Sequence, residues 1–397
     1  MAIAAVPQYL GTDFSTAAPG HRFGMYLKLW GVDSKSKDML WTTHDVNYRT
    51  AGPKREERPF KDENKTSALR EALKLNDTDK KAMHALDTRQ RQLAAFQEST
   101  GQLLSLEAIA NAPFTTGLGN EHPLENGFAF LNPYGLPYLP GSGVKGVLRA
   151  AARELAARKF GGTEGWTFET IEALFGREGE DGDTEHQRGA LMFWDVIPQI
   201  KGDSLKVEVM TPHQSHYYQK GESPHESGSP NPINFLTVPP GSGFVFHVQC
   251  NRTFIARIAP ELVEDNRWKT VLTAAFTHAF DWLGFGAKTA VGYGAMERLS
   301  DEEIEKARHE SAAAQLKCDW VDATIQLLAK KNSIPESGLG QVLRGRALAE
   351  AWAALDEPML KDRALVDIRV RWEKEGWWDT PPGKASKNAK AIYCGET

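Results

Sequence analysis

Gly135-Leu-Pro-Tyr-Leu-Pro-Gly-Ser-Gly-Val-Lys-Gly-Val-Leu-Arg149 is the stretch whose reading decides the fold. Its prolines and glycines punctuate a turn. Apolar residues then recur at Val144, Val147, Leu148, Ala151, Ala152 and Leu155, the spacing of a helix with one buried face. Ser142 is placed to be its N-cap. A turn that feeds an amphipathic helix needs an apolar surface to lie on, and the segments downstream supply one.

Ala190-Leu-Met-Phe-Trp-Asp-Val-Ile197, Lys206-Val-Glu-Val-Met210 and Phe244-Val-Phe-His-Val-Gln249 are β-branched and aromatic runs bounded by Pro, Gly or Asp, and they read as strands. Trp268, Val271, Leu272, Ala275, Ala279 and Leu283 predict a second core-facing helix that stops at Gly284. Strand-like and helix-like segments alternate from about 108 to 299, so the fold class is α+β. Between the strands, residues 220–234 are too rich in Pro, Gly and Ser for regular structure and predict a long loop.

Outward from this middle, residues 1–105 are polar and of mixed charge, with a helical stretch from about Thr66 to Phe96. They read as an N-terminal extension, 106–299 as the core domain, and 300–397 as a helical C-terminal extension. Its stretch Pro381 to Lys390 is expected to fray. With 397 residues, 41% of them hydrophobic, the chain can bury one large or two medium cores. The start lacks a basic, long apolar leader and no uncharged 18-residue apolar run follows, so the expected location is the cytoplasm, with no membrane contact. Cys250, Cys318 and Cys394 are too few and too scattered for a disulfide framework or a CxxC metal site.

Formal charge is -5, so any affinity for nucleic acid has to be local. Lys145, Arg149 and Arg153 lie at i, i+4 and i+8 behind Gly141-Ser-Gly-Val-Lys-Gly146. They read either as a phosphate-binding helix start or as a solvated basic face. Glu164 to Glu185 carries eight carboxylates, which shows how strongly the signs are segregated. No GxxxxGK[ST] is present, which excludes a P-loop NTPase.

Gly284-Phe-Gly-Ala-Lys-Thr-Ala-Val-Gly-Tyr-Gly294 either lets backbone approach a ligand, with Lys288 and Thr289 supplying charge and hydroxyl, or is a helix C-cap with a bulged strand. Thr211-Pro-His-Gln-Ser-His-Tyr-Tyr218 could stack bases, bond phosphates or supply an acid/base histidine. The alternative is that His213 and His216 only order the loop. A metal would need a third ligand from His225, Glu222 or Glu226, and neither HExxH nor a Cys/His signature supports one, so no metal or other cofactor is expected.

In order along the chain, these segments resemble the RAMP proteins of type III-B CRISPR systems, in particular the sixth subunit of their Cmr module. The resemblance is carried by Thr116-Gly-Leu-Gly-Asn-Glu-His-Pro-Leu-Glu-Asn-Gly127, by Gly135 to Arg149, by Thr211-Pro-His213 with Tyr217-Tyr218, by Pro230-Asn-Pro-Ile-Asn-Phe-Leu-Thr-Val238, and by Gly286 to Gly294. Gly143-Val144 departs from the more usual Ser-Leu or Ser-Ala. The likeness covers about 108–298. It implies a ferredoxin-like (RRM-like) core with long loop insertions, and a non-catalytic subunit that binds guide RNA near its 3′ end.

The same likeness implies that the subunit sits beside a repeated backbone subunit, a small helical subunit and a neighbouring RAMP subunit, with target RNA within reach. Ser142, Lys145, Arg149, Arg153, His213, His216, Tyr217, Lys288, Thr289 and Tyr293 become its RNA-binding candidates, and no residue is assigned to catalysis. The competing reading is a metal-independent endoribonuclease with His213 or His216 as base and Lys288 or Lys145 stabilising charge. A third is a protein scaffold presenting Trp377, Trp378 and Tyr393.

Overall fold

The computed structural model describes residues 3–32, 39–41, 44–47, 60–158, 162–177, 187–211, 221, 223, 232–300, 302–306, 319–335 and 338–395. The chain forms two compact units, Met1–Leu299 and Ser300–Thr397.

In the first unit, the single helix expected over 66–96 resolves into two, α1 (Asn64–Glu71) and α2 (Asp77–Ser99). The break has a local cause. Asn76 and Asp79 form a reciprocal capping box, with Asn76 N donating to Asp79 Oδ2 at 2.8 Å, and Leu75 N is drawn off to Asp203 O at 2.8 Å. Strand β1 (Leu103–Ala110) follows, straddling the boundary that the sequence reading sets at 105.

Helices α3 (Gly141–Ala156) and α4 (Phe168–Phe175) lead to β2 (Leu191–Phe193). After a separate antiparallel ribbon of β3 (Lys206–Met210) and β4 (Ile233–Thr237) come β5 (Gly243–Cys250), α5 (Arg267–His278) and β6 (Met296–Arg298). The four-stranded sheet has the order β6-β1-β5-β2 and is antiparallel throughout. Counting only its own strands along the chain, that is fourth, first, third, second. With helices between the first and second and between the third and fourth strands, this is the ferredoxin-like βαββαβ arrangement.

Alternation along β5 assigns the two faces. Phe244, Phe246 and Val248 join Leu106 and Ala108 of β1 in the main core, against Val144, Leu148 and Ala152 of α3 and Trp268, Leu272 and Phe276 of α5. His278 Nε2 meets Glu154 Oε2 at 2.9 Å and ties those two helices together.

The opposite face carries Ser105, Glu107, His247 and Gln249, and α2 lies over it. Arg91 spans to Glu107 at 2.6 and 3.2 Å and to Asp87 at 2.8 Å, and Gln249 Nε2 donates to Gln97 Oε1 at 3.2 Å. RRM domains stack bases on this face of the sheet. Here a helix occupies it. Phe23, Leu27, Leu29, Leu69 and Ala72 also belong to the main core, so the segment that the sequence sets apart as 1–105 shares that core with the rest of the unit.

The eight-residue strand expected at 190–197 keeps only three residues. Trp194 turns away, Asp195 Oδ1 accepts from Gly141 N at 2.7 Å, and Val196 exchanges backbone hydrogen bonds with Leu139 at 2.9 Å. Lys206–Met210 pairs with β4 and lies outside the main sheet.

Beneath α2, His247 is 3% exposed, with Ser105 Oγ 2.9 Å from its Nδ1 and the Trp194 ring 5.1 Å away. Burial, then Arg91, holds its pKa down at about 4, with Glu107 partly opposing. The folded pKa lies below the unfolded value of about 6.5, so the unfolded chain takes up the proton first as pH falls. The expected result is that this residue costs up to about 3 kcal/mol of stability between about pH 6.5 and pH 4. Denaturant melts of the wild type and His247→Gln should diverge over that window, and parallel curves would refute the assignment.

The second unit is helical: α6 (Asp319–Lys331), α7 (Leu339–Leu343), α8 (Arg346–Ala353), α9 (Pro358–Lys374) and α10 (Gly383–Cys394). Val321, Leu348, Ala364, Ile368, Trp372 and Ala389 fill its core. Arg371 ties α6 to α9 through Asp322 at 2.6 Å and Asp367 at 2.7 Å. The stretch 381–390, expected to fray, forms most of α10 because Ser386, Ala389 and Tyr393 face inward at helical spacing. Tyr393 is buried, and Trp377 and Trp378 are half-buried, so they are less exposed than their place in the sequence suggests. Among the described residues no helix is long and apolar enough to cross a membrane.

Candidate RNA-binding site

The glycine-rich loop is pinned to the segment that follows β1. Gly294 N donates to Pro113 O at 2.9 Å, Ala287 N to Thr115 O at 2.8 Å, and Phe285 N closes the loop on Gly294 O at 2.9 Å. On its other side, Phe114 exchanges backbone bonds with Val238 at 2.7 and 3.0 Å, and Thr115 Oγ1 donates to Leu236 O at 2.9 Å. Residues 113–116 therefore clamp the loop to the end of β4. Gly284 caps the helical segment that ends at Leu283, as the helix C-cap reading expects, and the close backbone approach seen here is to the protein's own Pro113–Thr116.

Lys288 stands at the turn of this loop with φ 59, a left-handed conformation that costs a non-glycine residue about 1 kcal/mol or more. That backbone sends its ammonium over the Phe235 ring, 5.4 Å from the centroid, with Met210 Sδ at 3.3 Å. Tyr293 meets Phe235 edge-on at 5.4 Å, and burial, with Glu208 nearby, raises its phenol pKa. Thr289 is half-buried beside Gly284. The loop thus presents a cation, a phenol and a hydroxyl at the base of the β3–β4 ribbon. His213, His216 and Tyr217 belong to the connection between those two strands and lie outside the described residues.

At α3 the sequence expectation changes. The N-cap is Pro140, Ser142 is the second helical residue and is exposed, and the first helical N–H is taken by the Asp195 carboxylate. Part of the anion-binding capacity of this helix start is therefore already used by the protein itself. Arg149 donates to the Gly176 carbonyl that ends α4, a structural task. Arg153 is exposed in the last turn, away from the helix start. Lys145 is half-buried, and burial, then Arg149 and Arg188, lowers its pKa, which marks a cationic cluster at the β2 edge.

The two groups lie toward opposite ends of the sheet. β2 runs parallel to β1, but its last residue, Phe193, beside Gly141, is level with Val248 and Leu104 at the start of β1, while β6, antiparallel to β1, begins at Met296 opposite Ala110 at the end of β1, just after the glycine loop. They sit at opposite edges, three strand spacings or roughly 14 Å apart across the sheet, and offset by six residues or roughly 20 Å along it. Phe235, Met210, Arg188 and Asp195 are missed by the residue-level reading. Phe235 has a signal, since Ile233–Thr237 is a short β-branched and aromatic run, but the loop composition just before it masks that run. Among the described residues no three His, Cys, Asp or Glu side chains gather to hold a metal ion.

A family model described as the RAMP superfamily matches residues 108–297. The CRISPR system Cmr subunit Cmr6 of Pyrococcus furiosus is 28% identical over 50% of this chain and 70% of its own length. Among solved structures, a type III-B Cmr-beta complex bound to cognate target RNA matches at 21% identity and TM-score 0.39, covering 59% of this chain and 71% of the matched one. The crystal structure of Cmr6 from P. furiosus matches at 23% identity and TM-score 0.27, covering 50% and 98%.

Proposed function

We propose, on the premise that residues 108–297 belong to the RAMP superfamily, that this chain is a guide-RNA-binding and assembly subunit of a type III-B CRISPR effector complex, working in antiviral defence. It holds RNA without cutting it, near the 3′ end of the guide and in the cytoplasm. Its neighbours are the repeated backbone subunit, the small helical subunit and an adjoining RAMP subunit, with target RNA close by.

The observation that carries the RNA-binding reading is Lys288, held in a strained backbone conformation over Phe235 beside Tyr293. A cation and aromatic groups on a rigid loop suit a phosphate and its base, whatever the sequence. Since α2 covers the face that an RRM uses, RNA takes a diagonal path off that face, from Lys288 at the β6 edge near the end of β1 to Lys145 and Arg188 at the β2 edge near its start. That path spans a few nucleotides.

Lys288→Gly is expected to raise stability by about 0.5–1 kcal/mol, because glycine relieves the positive φ, while weakening single-stranded RNA binding. Combined with Lys145→Gln, it should weaken binding about tenfold and flatten the salt slope by about 1.4, or 0.7 for each phosphate left without its cation. Fluorescence anisotropy of the full-length protein at several salt concentrations checks this, and unchanged affinity and slope would sink the proposal. Incubation with repeat RNA in EDTA should leave the RNA intact. Cleavage that disappears in His213→Ala or His216→Ala would establish the endoribonuclease reading in its place.

A further inference from the structure

The C-terminal unit carries a second concentration of cations and aromatic rings that nothing in the RAMP match covers. Trp377 and Trp378 are adjacent in the turn between α9 and α10, both half-buried. The Arg344 guanidinium lies 5.3 Å from the Trp377 ring centroid, and Arg369 and Lys390 lie 5.2 and 6.0 Å from that of Trp378. Beneath them, Trp372 packs edge-on to Trp377 at 6.5 Å and to Trp378 at 6.0 Å, and Trp378 stacks on buried Tyr393 at 6.4 Å. The platform is therefore rigid from below.

Helix α10 begins right after this turn with Lys384, Lys387 and Lys390 at every third position, and Gly383–Cys394 contains no carboxylate. Its buried residues Ser386, Ala389 and Tyr393 define the inner face, and the three lysines spread over one flank of the helix. Lys384 and Lys387 are exposed.

We propose that the C-terminal unit is a second, sequence-tolerant binding site for single-stranded RNA. Bases would stack on Trp377 and Trp378 in place of the cations now over those rings, and the displaced Arg344 and Arg369, with the α10 lysines, would take the phosphates. Indole faces bordered by arginine and lysine suit this polyanion with π-faces, since every base stacks and every phosphate pairs. A protein partner read through aromatic burial alone would not need the lysine row. The inference extends the RNA-binding reading above but stands on different residues.

The test measures binding of labelled oligouridine to the full-length chain. Lys384→Gln with Lys387→Gln alters only exposed side chains and should leave the melting curve in place. Affinity should fall at least threefold and the salt slope by about 1.4. Adding Arg344→Gln and Arg369→Gln should bring the loss to tenfold or more. Ultraviolet cross-linking should recover RNA on the peptide containing Trp377 and Trp378.

Unchanged affinity and slope in these variants, with cross-links confined to residues 108–297, would overturn the second site and leave the first standing. Loss of binding here, with Lys145→Gln and Lys288→Gly without effect, would instead overturn the glycine-loop site.

Discussion

Gly294→Ala is expected to unseat the glycine-rich loop, with a loss of more than about 4 kcal/mol of stability and no measurable RNA binding at the loop. Gly294 has φ 71, and a Cβ there would stand far inside van der Waals contact with the Phe285 carbonyl oxygen, which is backbone and cannot swing aside. The same residue supplies both the N–H that binds Pro113 O and the carbonyl that receives Phe285 N. Relief of the clash therefore breaks the clamp as well. Gly292 is the internal control. Its φ is 93, but a Cβ there meets nothing within 4 Å, so Gly292→Ala should cost only the backbone preference of about 1–2 kcal/mol. Thermal melts of the two variants beside the wild type decide the matter, and equal losses would show that the clamp is not what holds the loop.

That contrast also shows where the sequence is legible. The glycine cluster stands out as unusual, but not which glycine faces a carbonyl and which faces solvent, because Pro113–Thr116 meets the loop only across some 170 residues of chain. Helices α3 and α5 and strand β5 can be read because their buried faces repeat at local spacing. Strand β1 cannot. Its outward face carries Ser105 and Glu107, satisfied by His247 and Arg91 from distant segments, so a strand buried on both sides shows no clear alternation and is cut by a boundary drawn at 105.

The charged candidates divide in the same way. The spacing of Lys145, Arg149 and Arg153 places them on one side of α3, yet only tertiary structure shows Arg149 committed to Gly176, Asp195 seated at the helix start, and Arg188 taking the neighbouring position. Lys288 reads from the sequence as a cation on a glycine loop. Its partners Phe235 and Met210 lie on the two strands of a ribbon whose pairing no local pattern reveals.

Arg91→Ala should release α2 from the sheet, and it tests the claim that this helix closes off the face an RRM uses. Arg91 makes charge-assisted bonds to Asp87 on its own helix and to both oxygens of Glu107 on β1, where the carboxylates are 11% and 18% exposed. Burial disfavours the Arg91 cation, and its bonds with Glu107 and Asp87 more than offset this and raise its pKa. Removal leaves two partly buried carboxylates without that cation, at an expected cost of about 3–4 kcal/mol. Glu107→Gln in the same chain should recover about half, since the amide needs no counter-ion. Amide exchange is the discriminating measurement. In Arg91→Ala, protection should fall along Asp77–Ser99 and at the outward-facing residues of β1 and β5, while the glycine loop keeps its own. RNA affinity should hold or rise as the sheet face opens. A drop in affinity equal to that of the Lys145 and Lys288 variants would mean that α2 carries part of the RNA path and does not merely cover the sheet.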